Sequence, residues 1–293
     1  MKKKFTPFKA FVHIFFVVYS LICILPFLLL IGISFTEETV IKNGGYNLIP
    51  KVFSTEAYKF IFRDPSSLIN AYGVTILAAF VGTFIGVLLM AGVGYVLARE
   101  IFIFKKGVTT YLLITMLFSG GTIPSYIINT KYLHLNNSIW AYLILGVFSA
   151  YTVFVFKTFF KSIPVSLIES AELDGAGELT ILWKIILPLS KPVLATMSFL
   201  EIVNRWNDFN IPLYYITDKK LYNLQYMLQQ ILNEANFLEE MKKTMVGVNI
   251  GGNVPTETLK FAMCILAAGP MLVLFPFFQK YFSKGMVVGA VKG

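Results

Sequence analysis

Two stretches of this chain gather the polar and charged side chains that are scarce elsewhere in it. Residues 169–178 hold Glu169, Glu172, Asp174 and Glu178, four of only 16 Asp and Glu in 293 residues. Residues 198–215 hold Ser198, Glu201, Asn204, Arg205, Asn207, Asp208 and Asn210, with Trp206, Phe209, Tyr214 and Tyr215 among and after them. Neither stretch has the make-up of a catalytic centre. The two histidines, His13 and His134, are far apart and form no His-Glu-x-x-His pair. Cys23 and Cys264 lie in apolar runs, where a free cysteine packs as a small hydrophobe. No Gly-x-x-x-x-Gly-Lys-Ser/Thr loop is present to cradle a nucleotide phosphate, and Gly92 and Gly94 sit inside an apolar helix. These residue types are suited to binding. Carboxylates beside a glycine break can dock a partner. Amides, carboxylates and aromatic faces can hold a sugar, which offers apolar C–H faces and hydroxyl edges.

The elements that position them are membrane helices. Hydrophobic residues make up 56% of the chain and charged residues 14%, against roughly 25% charged in a soluble domain. That excludes a soluble fold, and 28 Phe and 15 Tyr exclude disorder. The net charge of +9 then speaks for anionic lipid and topology rather than nucleic acid. Spanning the hydrocarbon takes about 20 mostly apolar residues, and six runs qualify: 11–35, 72–98, 108–128, 139–160, 189–215 and 259–282. The first follows Lys2, Lys3 and Lys4 but is too long for a signal peptide and has no small-residue cleavage site, so it reads as a retained anchor. Gly82 and Gly86 form a small-xxx-small pair that lets a neighbour approach closely.

The expected fold is therefore an all-α membrane protein with six transmembrane helices in one domain over residues 1–293. Basic residues near the span ends set its orientation. They fall on the N-terminal tail (Lys2, Lys3, Lys4, Lys9), the 99–107 connection (Arg99, Lys105, Lys106), the 162–188 connection and its margins (Lys157, Lys161, Lys184, Lys191) and the C-terminal tail (Lys280, Lys284, Lys292). This places both termini in the cytoplasm of a multi-pass protein. Two long outer loops, 36–71 and 216–258, remain; Leu224, Leu228, Ile231 and Leu232 recur at helical spacing in the second. Loops of this length serve partners or function, or form a solvated cap.

Within 162–188, Pro164 fits the first turn of a helix with Ser162 as N-cap. Leu167, Ala171 and Asp174 share a face, Gly175 and Gly177 break the helix, and a second amphipathic piece over 179–187 leads to Pro188. A short helix, a glycine turn and a second short helix can dock in a partner's groove. Physics alone leaves that reading level with an ordinary interfacial loop.

The segment resembles the EAA loop of membrane subunits of bacterial ABC importers, whose pattern is EAA, three residues, G, nine residues, I-x-L-P. Glu169, Ala171, Gly175, Ile185, Leu187 and Pro188 fall in register, with Ser170 at the middle of the triplet. Trp206, Asn207, Asp208 and Phe209, with the ending KGMVVGAVKG over 284–293, resemble the carbohydrate-importer branch and its maltose-permease G-type subunit. Residues 204–225, with Pro212, Leu213, Tyr214 and Tyr215, are similar to the subgroup for complex oligosaccharides and polysaccharide fragments. The resemblance implies the type I ABC importer permease fold in a bacterial plasma membrane. It implies as partners a second homologous permease subunit, two ATPase subunits and an extracytoplasmic solute-binding protein, with membrane lipid and a carbohydrate substrate but no nucleic acid. The chain would bind no cofactor, ATP and Mg²⁺ being held by the partner ATPase. Glu169, Ser170, Ala171, Asp174, Gly175 and Ala176 would contact that ATPase, and Gly289, Ala290 and Lys292 would reach it from the tail.

Polar groups inside spans usually face a bundle interior or a water-filled cavity. On that ground Asn204, Trp206, Asn207, Asp208 and Tyr214 are candidates for the substrate path; an aromatic belt at the membrane interface is the other reading. Glu201 and Arg205, four apart, can pair and lower each other's cost. Ser119 and Gly120, followed by Gly121, Thr122 and Pro124, mark a helix irregularity that lines a cavity or serves packing. Two rival classes are an ion-coupled secondary transporter acting alone and an intramembrane enzyme. The first calls for matched broken helices in an internal repeat and the second for a nucleophile–base pair or metal ligands at membrane depth; neither pattern is visible.

Overall fold

The computed structural model describes the backbone of residues 7–244 and 255–290, and the side chains of 7–241 and 255–281. Among these residues every regular element is helical, and the only strand-like pairing is an isolated bridge between Thr36 and Phe53. The order is α1 (Pro7–Ser34), α2 (Glu38–Gly44), α3 (Glu56–Ile61), α4 (Pro65–Ile76), α5 (Gly82–Ala98), α6 (Lys105–Leu117), α7 (Thr122–Ile127), α8 (Ile139–Ile144), α9 (Ala150–Lys161), α10 (Val165–Leu173), α11 (Glu178–Ile181), α12 (Leu187–Leu189), α13 (Lys191–Trp206), α14 (Asn210–Tyr215), α15 (Leu224–Thr244) and α16 (Thr256–Ala290). A π-helical turn, Leu77–Val81, joins α4 to α5, and Leu182–Ile186 joins α11 to α12.

Among the described residues three helices are long and apolar enough to cross a membrane: Pro7–Ser34, Pro65–Ala98 and Thr256–Tyr281. The number reaches six if each of three bent pairs counts as one span, the pairs turning by 111° at Leu117/Thr122, 76° at Lys161/Val165 and 81° at Leu189/Lys191. The chain divides into two compact units, Met1–Ser66 with Leu228–Pro270 and Ser67–Met227 with Met271–Gly293.

In the first unit α1 is exposed along most of its length, Phe11 at 66% and Ile22 at 63%, and Cys23 and Cys264 are exposed with their apolar neighbours rather than packed. The segment after α1 is tied down by Glu38, only 5% exposed, whose carboxylate accepts the backbone N–H groups of Glu257 (3.0 Å) and Thr258 (3.0 Å) and the Thr258 hydroxyl (3.0 Å). These are orphan donors of the first turn of α16, where an anion also meets the favourable end of the helix dipole.

The second unit carries the main core. Helix α5 packs along α9, and Met90, Ala91, Leu97, Val153, Phe156, Ile181 and Ile186 are all at most 1% exposed. Close approach at one point is enforced by Gly86, where an added Cβ would lie 2.7 Å from the Val147 carbonyl oxygen. The small-xxx-small pair thus seats a side chain, Arg205, at Gly82 and a loop carbonyl at Gly86 rather than a neighbouring helix.

Candidate functional site

The polar residues of 198–215 lie where three apolar runs break. Helix α13 stops at Trp206 because Asn207 and Asp208 offer side-chain partners that compete with helical backbone bonding. Asp208 Oδ1 accepts the N–H groups of Asn210 (3.0 Å) and Ile211 (3.4 Å), satisfying the first two donors of α14 from the residue before its N-cap, Phe209. The run read as a continuous span over 189–215 is thus two helices and a turn. A second break separates α6 from α7, with Gly121 at φ 87° and its N–H donating to Ser119 Oγ at 3.2 Å. The third separates α8 from α9, across Gly146 at φ 69°.

Arg205 closes the third break. Its guanidinium donates to the Tyr142 carbonyl in the last turn of α8 (Nη1, 2.8 Å) and to the Gly146 carbonyl (Nη2, 3.1 Å). Carbonyls at a helix C-terminus lack intrahelical donors and attract a cation, so they, rather than the expected i,i+4 partner Glu201, take the guanidinium's hydrogen bonds. Room for the guanidinium exists because residue 82 is glycine: a Cβ there would sit 2.6 Å from Nη1 and 3.0 Å from Cζ.

Between the breaks lies a cavity of about 860 Å³. Ser119, Gly121, Thr122, Ser125 and Asn129 line it from the α6–α7 break, α7 and the following π turn; Tyr142, Gly146 and Ser149 from the α8–α9 region; Glu201, Asn204, Arg205, Asp208, Asn210, Tyr214 and Tyr215 from α13, α14 and the turn between them. Tyr126 and Tyr215 stack at 5.7 Å, and Asn129 Nδ2 donates to the Tyr215 hydroxyl at 3.0 Å. Asp208 Oδ2 and Arg205 Nε are buried with no hydrogen-bond partner. The volume falls in the range of small-ligand sites, and the lining alternates hydroxyls, amides and charges with tyrosine rings.

Ser119, Asn204, Asp208 and Tyr214 line this cavity; Gly120, Trp206 and Asn207 do not. Helical periodicity explains the division. Glu201, Asn204, Arg205 and Asp208 recur at i, i+3, i+4 and i+7 on one face. Trp206 points elsewhere, 2% exposed with its ring 6.4 Å from that of Tyr72. Asn207 donates to the Val203 carbonyl (3.0 Å) and accepts from Gln225 Nε2 (3.1 Å). The same spacing in the sequence points to Glu201 and Arg205 as lining residues. Ser125 and Asn129, one turn apart beyond the α6–α7 break, are the polar positions of an apolar run and carry a similar signal.

The 162–188 segment forms a hairpin of α10, a tight turn and α11. Ser162 does not cap α10; its hydroxyl donates to the Phe159 carbonyl (2.6 Å) and closes α9, and Pro164 occupies the N-cap position. Helix α10 ends in a Schellman arrangement, with Ala176 N–H bonded to the Ala171 carbonyl (2.9 Å) and Gly175 N–H to the Glu172 carbonyl (3.0 Å). Gly175 has φ 81°, and a Cβ there would meet nothing within 4 Å. Its requirement is therefore conformational rather than steric, left-handed backbone costing other L-residues roughly 1–2 kcal/mol. The face turned inward is Ile168, Ala171 and Ala176, packed against the main core, rather than Leu167, Ala171 and Asp174. Glu169, Ser170, Asp174 and Gly175 are exposed, beside Leu173 at 89% and Leu179 at 74%.

The arms are held together ionically. Arg99, at the C-terminus of α5, binds Glu172 on one arm and Glu178 on the other, reaching Glu178 with Nη2 (2.8 Å) and Nε (3.3 Å). The Tyr95 hydroxyl also donates to Glu178. Partial burial works against the Glu178 charge, but the hydrogen bonds from Arg99 and Tyr95 and the Arg99 charge prevail and hold its carboxyl below the usual range. The same contacts outweigh burial at Arg99 and raise its pKa.

Among the described residues no group of three or more His, Cys, Asp or Glu converges as metal ligands. Of the tail residues, Gly289 and Ala290 belong to the α16 backbone with side chains outside the described set, and Lys292 lies outside the described residues.

A family model described as "Binding-protein-dependent transport system inner membrane component" matches residues 78–288. The chain is 34% identical over 286 residues to the polygalacturonan/rhamnogalacturonan transport system permease protein YtcP of Bacillus subtilis (strain 168), covering 98% of each. It is 36% identical over 272 residues to Protein LplC of the same organism, covering 93% of this chain and 90% of that protein. Among solved structures it is similar to a bacterial ABC transporter involved in the import of the acidic polysaccharide alginate, with a TM-score of 0.80 and 24% identity over 96% of this chain and 100% of that one, a likeness of fold.

Proposed function

Because this chain belongs to the family of binding-protein-dependent transport system inner membrane components, we propose that it is the permease subunit of an ABC importer that carries an oligosaccharide or polysaccharide fragment into the cell. The observation that carries the substrate class is the cavity of about 860 Å³ with its mixed hydroxyl, amide, carboxylate and tyrosine lining. Such a surface meets both the polar edges and the C–H faces of a sugar, and the relative named for polygalacturonan/rhamnogalacturonan transport supports the same class.

In this reading the spans are 11–35, 72–98, 108–128, 139–160, 189–215 and 259–282, with both termini in the cytoplasm. A second homologous permease completes the path, two ATPase subunits bind ATP and Mg²⁺, and an extracytoplasmic solute-binding protein delivers the saccharide. The 162–188 hairpin docks on an ATPase through Glu169, Ser170, Ala171, Asp174, Gly175 and Ala176, and Gly289, Ala290 and Lys292 add a contact from the tail. The exposure of Glu169, Ser170, Asp174 and Gly175, with Leu173 at the tip 89% exposed, supports that docking. ATP binding and hydrolysis in the partners then drive alternating access of the cavity. Mild-detergent copurification from the native host tests the assembly. Recovery of an ATPase and a second permease is the expected result, and recovery of the chain alone would favour an ion-coupled secondary transporter.

A further inference from the structure

We propose that Arg99 is the positioning residue that clasps both arms of the 162–188 hairpin to the end of α5, so that a displacement of the hairpin reaches the cavity wall through α5 as one rigid rod. The inference rests on the reading of that hairpin as the ATPase-docking element.

The geometry runs through three joints. At the first, Glu172 precedes the Gly175 turn and Glu178 follows it, and the single fork of Arg99 holds both, with Tyr95 one turn earlier on α5 as a second donor to Glu178. The Arg99 side chain is only 14% exposed although both carboxylates are nearly half exposed, so its position is fixed by the scaffold rather than by solvent. Lys105 Nζ, donating to the Arg99 carbonyl at 3.4 Å, holds the backbone of the same residue. The second joint is α5 itself, regular α-helix over Gly82–Ala98 and packed on α9 through Met90, Ala91, Val153 and Phe156. The third lies about 25 Å away at a helical rise of 1.5 Å per residue, where Gly82 is the seat of the Arg205 guanidinium that closes the cavity wall.

An arginine suits the first joint because its planar fork engages two carboxylates at fixed angles, which the point charge of a lysine does not reproduce. Without it the Schellman turn still closes by its own backbone bonds, so the hairpin can form and bind but is no longer held in register with α5.

The experiment uses the full importer reconstituted in liposomes and reads saccharide transported per ATP hydrolysed. Loss of folded protein lowers uptake and hydrolysis together and leaves that ratio unchanged, whereas loss of registration lowers the ratio. Arg99→Gln is expected to lower it roughly threefold to thirtyfold, the usual span for mutations along a coupling route, with Arg99→Lys intermediate. Glu178→Gln is expected to lower the ratio similarly, and adding it to Arg99→Gln to cost little more, since both break one clasp. An unchanged ratio in Arg99→Gln, or full additivity with Glu178→Gln, overturns the proposal. Gly175→Trp in the same liposomes separates it from the underlying reading: if that variant transports normally the docking assignment itself falls, and if it uncouples while Arg99→Gln does not, only the clasp falls.

Discussion

At the 162–188 hairpin Glu172 and Glu178 are held by Arg99 from the end of α5, with Tyr95 beside them. In the cavity Asp208 Oδ2 and Arg205 Nε are buried without hydrogen-bond partners, and Arg205 donates through Nη1 and Nη2 to backbone carbonyls. The difference separates a surface whose shape must be set before a macromolecule meets it from a surface that keeps hydrogen-bonding capacity for a small visitor. A buried polar group without a partner costs roughly 1–3 kcal/mol, a cost that a permanent packing interface would remove by substitution and that a ligand removes by binding.

Four variants or conditions press on that contrast. The largest effect is expected at Gly175, where Trp cannot hold φ 81° without strain and displaces the exposed tip. ATP-driven uptake should fall by on the order of 100-fold, the cost of misplacing a functional element by about 1 Å, with unchanged membrane abundance; normal uptake would remove the hairpin from the contrast. Next is Asp208. Asp208→Asn keeps an Oδ1 acceptor for the first donors of α14 and loses the charge facing the cavity, while Asp208→Ala loses both. Uptake should fall about tenfold in each, matching roughly 1.4 kcal/mol, but thermal unfolding should separate them by the roughly 1 kcal/mol of a lost hydrogen bond. Equal stability with normal uptake would make Asp208 a bystander.

A smaller effect is expected from Gly82→Val, which drives side-chain atoms into the Arg205 guanidinium and should lower stability by roughly 1–3 kcal/mol as overpacking does. The smallest concerns pH. The Glu178 carboxyl is held below its unfolded value, so its stabilisation is complete above that unfolded value and is lost as pH falls through the depressed folded one. Hydrogen exchange of residues 172–178 should therefore show protection at neutral pH that fades only on strong acidification. The cavity segments should not share that dependence, and Glu178→Gln should abolish it.

Much of the hairpin was legible in the sequence, because a left-handed glycine after a short amphipathic helix and a proline before it are local signals. Its inward face was not: Ile168 and Ala171 face the core because α9 and α5 are there, which no window of residues 162–188 records. Arg99 shows in the sequence only as one of the basic residues that flank the spans, since a partner 73 residues away leaves no local trace. In the cavity the cluster over 198–210 was plain, and Asn204 and Asp208 followed from it. Trp206 and Asn207 were drawn in by proximity along the chain, although a helix turns them off the lining face. The partner of Arg205 was missed for a related reason. The i,i+4 rule supplies Glu201, but the break after α8 exposes two carbonyls that only the tertiary structure brings within reach.

The central claim is that an external ATPase, acting through the hairpin, drives a saccharide through the polar cavity. It is tested most directly by liposomes carrying the purified importer, with the solute-binding protein and labelled oligosaccharides outside and ATP inside. The account predicts accumulation that requires internal ATP and is lost in Gly175→Trp. Accumulation by this chain alone, driven by an ion gradient without ATP, would contradict it.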